Sequence, residues 1–502
     1  MKLQKYIFPA ILGCTLLAFI SQMFNKPALA KSSASSTSYD AIDTYIEEQM
    51  HRLNIPGVSL AIVEGDQIAH LRGFGQARPG GETPASQTPF FIGSLTKSIT
   101  ALAVMQLVEA DKIELDAPVQ RYLPWFRVAD PQASGQMTVR HLLNQTSGLP
   151  TASGEIQMAD FDDRPDAAER QARALSTLKL SRPVGSAFEY SNANYNLLGL
   201  IIEAVSGESY AEYIQKYIFD PLEMNHSYTS LSAAKQNGLV MGHRYWFAIP
   251  FAVSNTPVPH GSLPSGQIIS CSEDVAHYMI ALLNGGRYKD IQILSQEGIA
   301  EMHLGVAEDI VMGMSLGRYG MGWFVDENSR TKLVWHSGTT PDSGAFIALF
   351  PGQKKGLVLL FNANHHWFTP VLSDFGSGAA ALLNGDQPKP IQFVGLFPWM
   401  LRGLLLIPLI QIIDVVSTTR LLRRWHHEPD QRPSRGRMWR RHILLPLVPN
   451  LLIASTLIPL LGKTRGYLML YMPDYSWVAL LCGSFAAIWT ILRTRLITRS
   501  TR

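Results

Sequence analysis

The sequence predicts an α/β chain of the α+β type, with one globular body followed by an apolar C-terminal region. Three observations predict this. First, strand-like runs lie near both ends of the body, at Val58–Val63 and Gln67–Gly73 and again at Lys332–His336, Ala345–Phe350 and Gly356–Asn362, with helix and loop between them. That order describes one sheet built from both chain ends, with a helical insertion. Second, residues 391–502 carry 15 Lys and Arg against four Asp and Glu, whereas residues 31–390 carry 25 against 36. An acidic soluble body is therefore joined to a basic, apolar end, and no Lys/Arg-rich stripe on the body suits nucleic acid. Third, three apolar segments, at 392–413, 443–462 and 475–492, each approach the ~20 residues that span a bilayer.

The elements follow in chain order. Lys2 and Lys5 precede an apolar run from Tyr6 to Ile20, and Ala28-Leu29-Ala30 closes the segment. This pattern predicts a signal peptide over 1–30, with a cleavage site after Ala30 and an uncleaved anchor as the alternative, followed by a Ser-rich linker over 31–38. The body is expected over 39–385. It opens with an amphipathic helix at Tyr39–Leu53, in which Ile42, Tyr45, Ile46 and Met50 share one side. Glu64-Gly65-Asp66 marks a hairpin turn between the first two strands. Helices are expected over Ser94–Ala110, 194–217 and 370–384, and a Pro-containing linker over 386–391. The aromatic, Pro-rich stretch from His243 to His260 is expected to be a packed surface loop.

Charge sets the predicted topology of the end region, 392–492. The connection 417–441 carries eight Arg, and the tail 493–502 adds four more, whereas the 463–474 loop has only Lys463 and Arg465. The positive-inside rule places the Arg-rich loop and tail in the cytoplasm and the body outside, the side to which a signal peptide also sends it. Arg402 in the first span can snorkel to the interface. Of three cysteines, Cys14 and Cys482 lie in apolar ends, so no disulfide is expected within the body, and Cys271 reads as a small buried hydrophobe. The adjacent pairs His365-His366 and His426-His427 lack metal-ligand spacing, so no metal and no cofactor are expected.

Three short motifs carry chemistry. Ser94 opens a helix and Lys97 follows one turn later, within reach of the serine oxygen. A serine hydroxyl needs such a base to become a nucleophile. Tyr190-Ser191-Asn192 supplies a second proton carrier, Tyr190, whose pKa an adjacent ammonium would lower, and an amide, Asn192, able to bridge Lys97 and a substrate carbonyl. His336-Ser337-Gly338 ends an apolar strand, and its small residues let a substrate backbone approach closely. The backbone N–H groups of Ser94 and Thr339 are the expected oxyanion donors.

In order and context these motifs resemble the S-x-x-K, Y-x-N and H/K-x-G motifs of penicillin-recognising serine hydrolases, in the class C β-lactamase-like branch. The surrounding blocks Phe188–Gly199, His141–Pro150, Tyr122-Leu123-Pro124 and Tyr319–Trp323 are similar as well. The resemblance covers about 40–385. It implies a β-lactamase/transpeptidase-like fold: an antiparallel sheet with helices on both faces, a helical subdomain, and the site between them. Two departures stand out. His336 occupies a position where many β-lactamases carry Lys, so a permanent cation for a substrate carboxylate is missing. Asn144-Gln145 replaces the histidine often found before Thr-Ser-Gly-Leu.

The expected function is that of an extracytoplasmic, membrane-anchored serine hydrolase of the bacterial cell membrane. Ser94, Lys97 and Tyr190 are its catalytic residues, and Asn192, His336, Ser337, Gly338 and Thr339 bind substrate. The resemblance implies penicillin-binding-protein-like action on cell-wall D-amino-acid peptide. The alternatives are a β-lactamase or esterase of the same fold, and a sensor that stays acylated and signals through the C-terminal helices. The partners expected are a small-molecule or peptide substrate, the membrane, and a membrane protein recruited by spans beyond the one a tether needs.

Overall fold

The computed structural model describes residues 39–311, 314–327, 331–391 and 396–500. The expected signal peptide and the 31–38 linker lie outside the described residues, as do 392–395 and 501–502. Contacts divide the chain into two units, residues 1–41 and residues 42–502.

The centre of the second unit is an antiparallel sheet. Its strands are β1 (Gly57–Glu64), β2 (Gln67–Gly75), β3 (Ala307–Val311), β4 (Met314–Tyr319), β5 (Phe324–Asp326), β6 (Leu333–Thr339), β7 (Gly344–Phe350) and β8 (Lys355–Phe361). Among the described residues they run in the order β2-β1-β8-β7-β6-β5-β4-β3. The N-terminal hairpin thus joins the C-terminal strands through β1 and β8, with Val58 opposite Phe361 and Glu64 opposite Lys355. Both chain ends build one sheet, as the sequence predicts. β3, β4 and β5 extend it beyond the five strands legible in the sequence.

Burial explains the strand sequences. β7 is buried along its whole length and β1 along all but its last residue, matching their unbroken apolar runs. β2 is the edge, mostly exposed, and reads as mixed polar and apolar. Gly65, at φ +64°, makes the turn between β1 and β2.

Two helical layers cover the sheet. α1 (Asp40–Leu53) and α6 (Thr369–Leu383) lie on one face, where Phe375 of α6 meets Phe361 of β8 and Tyr45 of α1. Gly376 lets α6 approach closely, since a Cβ there would stand 2.1 Å from the Phe346 ring. The other face joins the large core, which includes Ile347, Leu349, Val358 and Leu360 with Met279 of α5 (Ser272–Leu283). α2 (Thr96–Glu109) runs through that core and is buried without interruption from Thr96 to Met105. Each fully buried Leu or Ile there contributes about 1.5–3 kcal/mol. α3 (Thr151–Met158) and α4 (Asn192–Ser206) belong to the helical insertion. The single helix expected over 194–217 is broken, because Gly207, at φ +76°, caps α4 and Tyr210–Ile214 starts anew. The stretch expected to be a surface loop contains a hairpin, Gly242–Trp246 with Ile249–Val253.

The C-terminal region departs from three expected spans. Among the described residues, two helical stretches are long and apolar enough to cross a membrane, Leu396–His427 and Pro473–Arg499, of 32 and 27 residues. The middle segment divides into Leu445–Ser455 and Ile458–Leu461, with Pro449 inside the first helix and a proline at the start of the second. Proline removes backbone donors and interrupts the helical ladder. All three segments are nonetheless tied together by polar contacts. Asp414 accepts from Trp489 Nε1 at 2.8 Å and from Asn450 Nδ2 at 3.3 Å, and Arg493 Nε donates to Thr418 Oγ1 at 2.9 Å.

Candidate active site

Ser94 lies in one turn of 3-10 helix, Gly93–Leu95, that feeds directly into α2. Lys97 is fully buried one turn later. Its Nζ stands 2.9 Å from Ser94 Oγ, 2.7 Å from Asn192 Oδ1 and 2.6 Å from the Ser265 carbonyl oxygen. The last two oxygens can only accept, so they take two N–H bonds. The third direction faces the serine. Burial pushes the Lys97 amine well below the usual lysine range. A neutral amine with both N–H groups engaged directs its lone pair at the Ser94 hydroxyl, the arrangement a general base requires.

Tyr190 stands over the same amine, with Nζ 4.9 Å from the ring centroid. Its hydroxyl interacts with that of Ser94. The expected lowering of its pKa does not occur: crowding by protein raises it, and the Ser94 contact offsets this only partly. Burial of Lys97 likewise disfavours the ammonium that would favour a phenolate. This geometry suits Lys97 to the role of a base and Tyr190 to that of a protonated relay.

The third motif reaches the site through backbone. A Cβ on Gly338 would lie 2.0 Å from the Ile92 carbonyl oxygen and 3.0 Å from Ser94 N, and one on Gly93 would lie 2.3 Å from Thr339 N. Only glycine admits this approach, which brings the amides of Ser94 and Thr339 together. β5 pairs with β6 at Leu333, Val334 and Trp335. Among the described residues, Ser337–Thr339 therefore keep an open edge toward the site. Ser337 occupies the alternate face of β6 from His336 and Gly338 and is half-buried.

His336 turns inward. It is buried, its Nδ1 donates to the Ser337 carbonyl at 2.6 Å, and its Nε2 is 3.2 Å from the Tyr319 hydroxyl, from which it accepts. Burial lowers its pKa to about 3. It is a neutral ring at physiological pH, packed 6.2 Å from the Tyr190 ring.

Gln145, noted in the sequence only as a departure, has a specific position here. It is fully buried at φ +57°. Its Oε1 accepts from Ser191 N at 2.9 Å and from Asn194 Nδ2 at 2.5 Å, and its carbonyl accepts from Glu189 N at 2.9 Å. These bonds hold the Tyr190–Asn192 segment from both sides. The changed block was the one sequence signal for it.

Among the described residues, one group has metal-ligand proximity, His226, Cys271 and Asp274, with ligand atoms within 4.8 Å. Asp274 already accepts from His226 N and Ser227 Oγ, each at 2.7 Å, and Cys271 Sγ accepts from Asp274 N at 3.4 Å as a helix cap. These contacts account for the trio as the start of α5.

An antiparallel sheet with helical layers and a Ser–Lys–Tyr cluster defines the β-lactamase/penicillin-binding-protein class of fold. The Beta-lactamase family matches residues 42–375. The chain belongs to that family. It is 30% identical over 336 residues to Protein flp of Staphylococcus aureus (strain MW2), covering 66% of this chain and 65% of that protein. It is 26% identical to the Unguisins hydrolase ungD' of Aspergillus campestris, over 64% of this chain and 61% of that one. The chain thus spans less than two thirds of the length of either curated relative. Among solved structures, the octameric penicillin-binding protein homologue from Pyrococcus abyssi superposes with a TM-score of 0.60 at 30% identity. That match covers 71% of this chain and 80% of the other.

Proposed function

We propose that the chain is a membrane-anchored serine hydrolase whose 39–385 domain works outside the cell on an ester or amide. The observation that carries this reading is the buried Lys97 amine 2.9 Å from Ser94 Oγ. Lys97 takes the Ser94 proton as Oγ attacks the carbonyl carbon, and the Ser94 and Thr339 amides hold the oxyanion. Tyr190 passes a proton to the leaving oxygen or nitrogen as its bond to the acyl carbon breaks. Water, deprotonated along the same route, then releases the acid and restores Ser94. Asn192 holds Lys97 and the substrate carbonyl.

The anchor comprises residues 392–492. Its orientation is supported by the eight Arg of 417–441 and by the apolar helices Leu396–His427 and Pro473–Arg499. The neutral His336 favours substrates without a carboxylate at that position over penicillins and carboxylate-terminated cell-wall peptides. The test is full-length protein in lipid vesicles, with a small activated ester and a penicillin offered separately. The proposal expects ester turnover that Ser94→Ala abolishes, with the penicillin left intact. Full turnover by Ser94→Ala would overturn the mechanism. A stable penicillin adduct, or consumption of the drug, would overturn the substrate preference.

A further inference from the structure

Residues 465–475 connect the second and third apolar segments, yet they pack onto the catalytic body. Asp474 and His365 have fully buried side chains, and His365 Nε2 is 3.0 Å from Asp474 Oδ1. The other Asp474 oxygen accepts from Phe247 N at 3.0 Å. Tyr467 Oη is 3.1 Å from His366 Nδ1. Leu470, Tyr471 and Met472 form an apolar cluster with Met158, and Trp367 packs against it. Gly466 abuts the residue after α3, since a Cβ there would stand 3.0 Å from Ala159 Cβ. The pair His365-His366 has thus become a docking site for the C-terminal region.

This segment touches both walls of the Ser94 cleft. On one side, α3 supports the tyrosine motif: Gly154 lies against Asn192, and Ser153 Oγ is 3.3 Å from Ser191 Oγ. On the other, Asn364, next to His365, donates to the Thr340 carbonyl at 2.6 Å, one residue past the oxyanion amide. Tyr467 and Tyr471 stack with centroids 4.3 Å apart. Tyr467 lies near enough to Glu155 for its charge to act on it, and Tyr471 near enough to Asp342 and Arg244. The chain enters this segment four residues after the apolar helix Ile458–Leu461 and leaves it into Pro473–Arg499. On the membrane-anchored reading above, this segment lies at the bilayer surface.

We propose that residues 465–475 roof the Ser94 cleft at the membrane surface, so that the site takes amphiphilic esters or amides whose apolar chain lies against Tyr467, the half-buried ring of the stacked pair. The inference rests on the membrane-anchored hydrolase reading above. It identifies the substrate class by the surface available: the half-buried Tyr467 ring over an apolar cluster, with no cation from the third motif.

The test uses full-length protein in phosphatidylcholine vesicles, with 4-nitrophenyl acetate and 4-nitrophenyl decanoate as probes. The kcat/KM ratio of decanoate to acetate is expected to exceed tenfold, and to fall at least fivefold in Tyr467→Ala. A decanoyl probe with a terminal diazirine, photolysed on the wild-type protein, gives a variant-free reading. Its crosslinks are expected on residues 465–475. Crosslinks confined to other segments, or the same chain-length ratio in both proteins, would overturn the roof. A fluorophosphonate separates the two proposals. Labelling of Ser94 without chain-length preference sinks only the roof, whereas no labelling sinks the hydrolase reading beneath it.

Discussion

Lys97 Nζ stands 2.9 Å from Ser94 Oγ, while Asn192 Oδ1 and the Ser265 carbonyl occupy its two other bonding directions. This relationship suits the lysine to the role of base proposed above. A charged Lys97 would need all three oxygens as acceptors. The neutral amine that burial favours needs only two and leaves its lone pair for the serine proton.

Activity should therefore rise with pH as Lys97 loses its proton. The midpoint should fall well below 10.5, the ordinary value for a lysine. Fluorophosphonate labelling rates between pH 5 and 10 measure this. Lys97→Met should lower the rate by about 10²–10⁴, the usual contribution of a general base. An ascending limb near the ordinary lysine value would contradict the assignment.

Gly338→Ala should disable the site without unfolding the sheet. The new methyl would stand 2.0 Å from the Ile92 carbonyl oxygen, so β6 must retreat from Ser94 and take the Thr339 amide with it. Loss of one oxyanion donor lowers kcat about 10²–10³-fold. Steady-state kinetics on a small ester, with circular dichroism as a check on fold, decides the point.

Gln145 is a positioning residue. Gln145→Ala orphans the Ser191 amide and the Asn194 side chain, each buried, at about 1–3 kcal/mol per group. Its expected signature is a fall in kcat larger than the change in KM, because Tyr190 loses its place while the cleft remains. Gln145→Glu keeps the accepting oxygen and should restore part of the rate. Equal effects of the two variants would argue against positioning.

The buried His303 makes the fold acid-sensitive. Burial lowers its pKa from 6.5 to about 3, so between those values the unfolded chain binds a proton that the folded one does not. Stability then rises with pH through this window, by about 1.4 kcal/mol per unit, and is lost as pH falls. His303→Phe should flatten the pH dependence of Tm between pH 6.5 and 4 relative to wild type. An unchanged slope would show that this histidine is not the cause.

The sequence shows best what is periodic or contiguous. β1, β7 and β8 are legible because buried central strands are unbroken apolar runs, and α2 because its buried stretch follows Ser94 directly. β5 is three residues long, and Gly317, at φ +112°, disrupts β4, so neither carries a readable alternation. The Ser94, Lys97 and Tyr190 cluster was legible because its motifs are local. The pairing of His365 with Asp474, 109 residues apart, was not, since no spacing rule links a histidine pair in the body to an acid between apolar segments. Tyr190's raised pKa was also missed, because the expectation rested on an ammonium that burial of Lys97 disfavours.

The central claim is that Ser94 is the nucleophile, and intact-mass analysis of the full-length protein after brief exposure to a fluorophosphonate tests it most directly. The account predicts one adduct per chain, mapped to the peptide containing Ser94, and none in Ser94→Ala. An adduct of equal yield in Ser94→Ala, or one mapped elsewhere in the wild type, would contradict it.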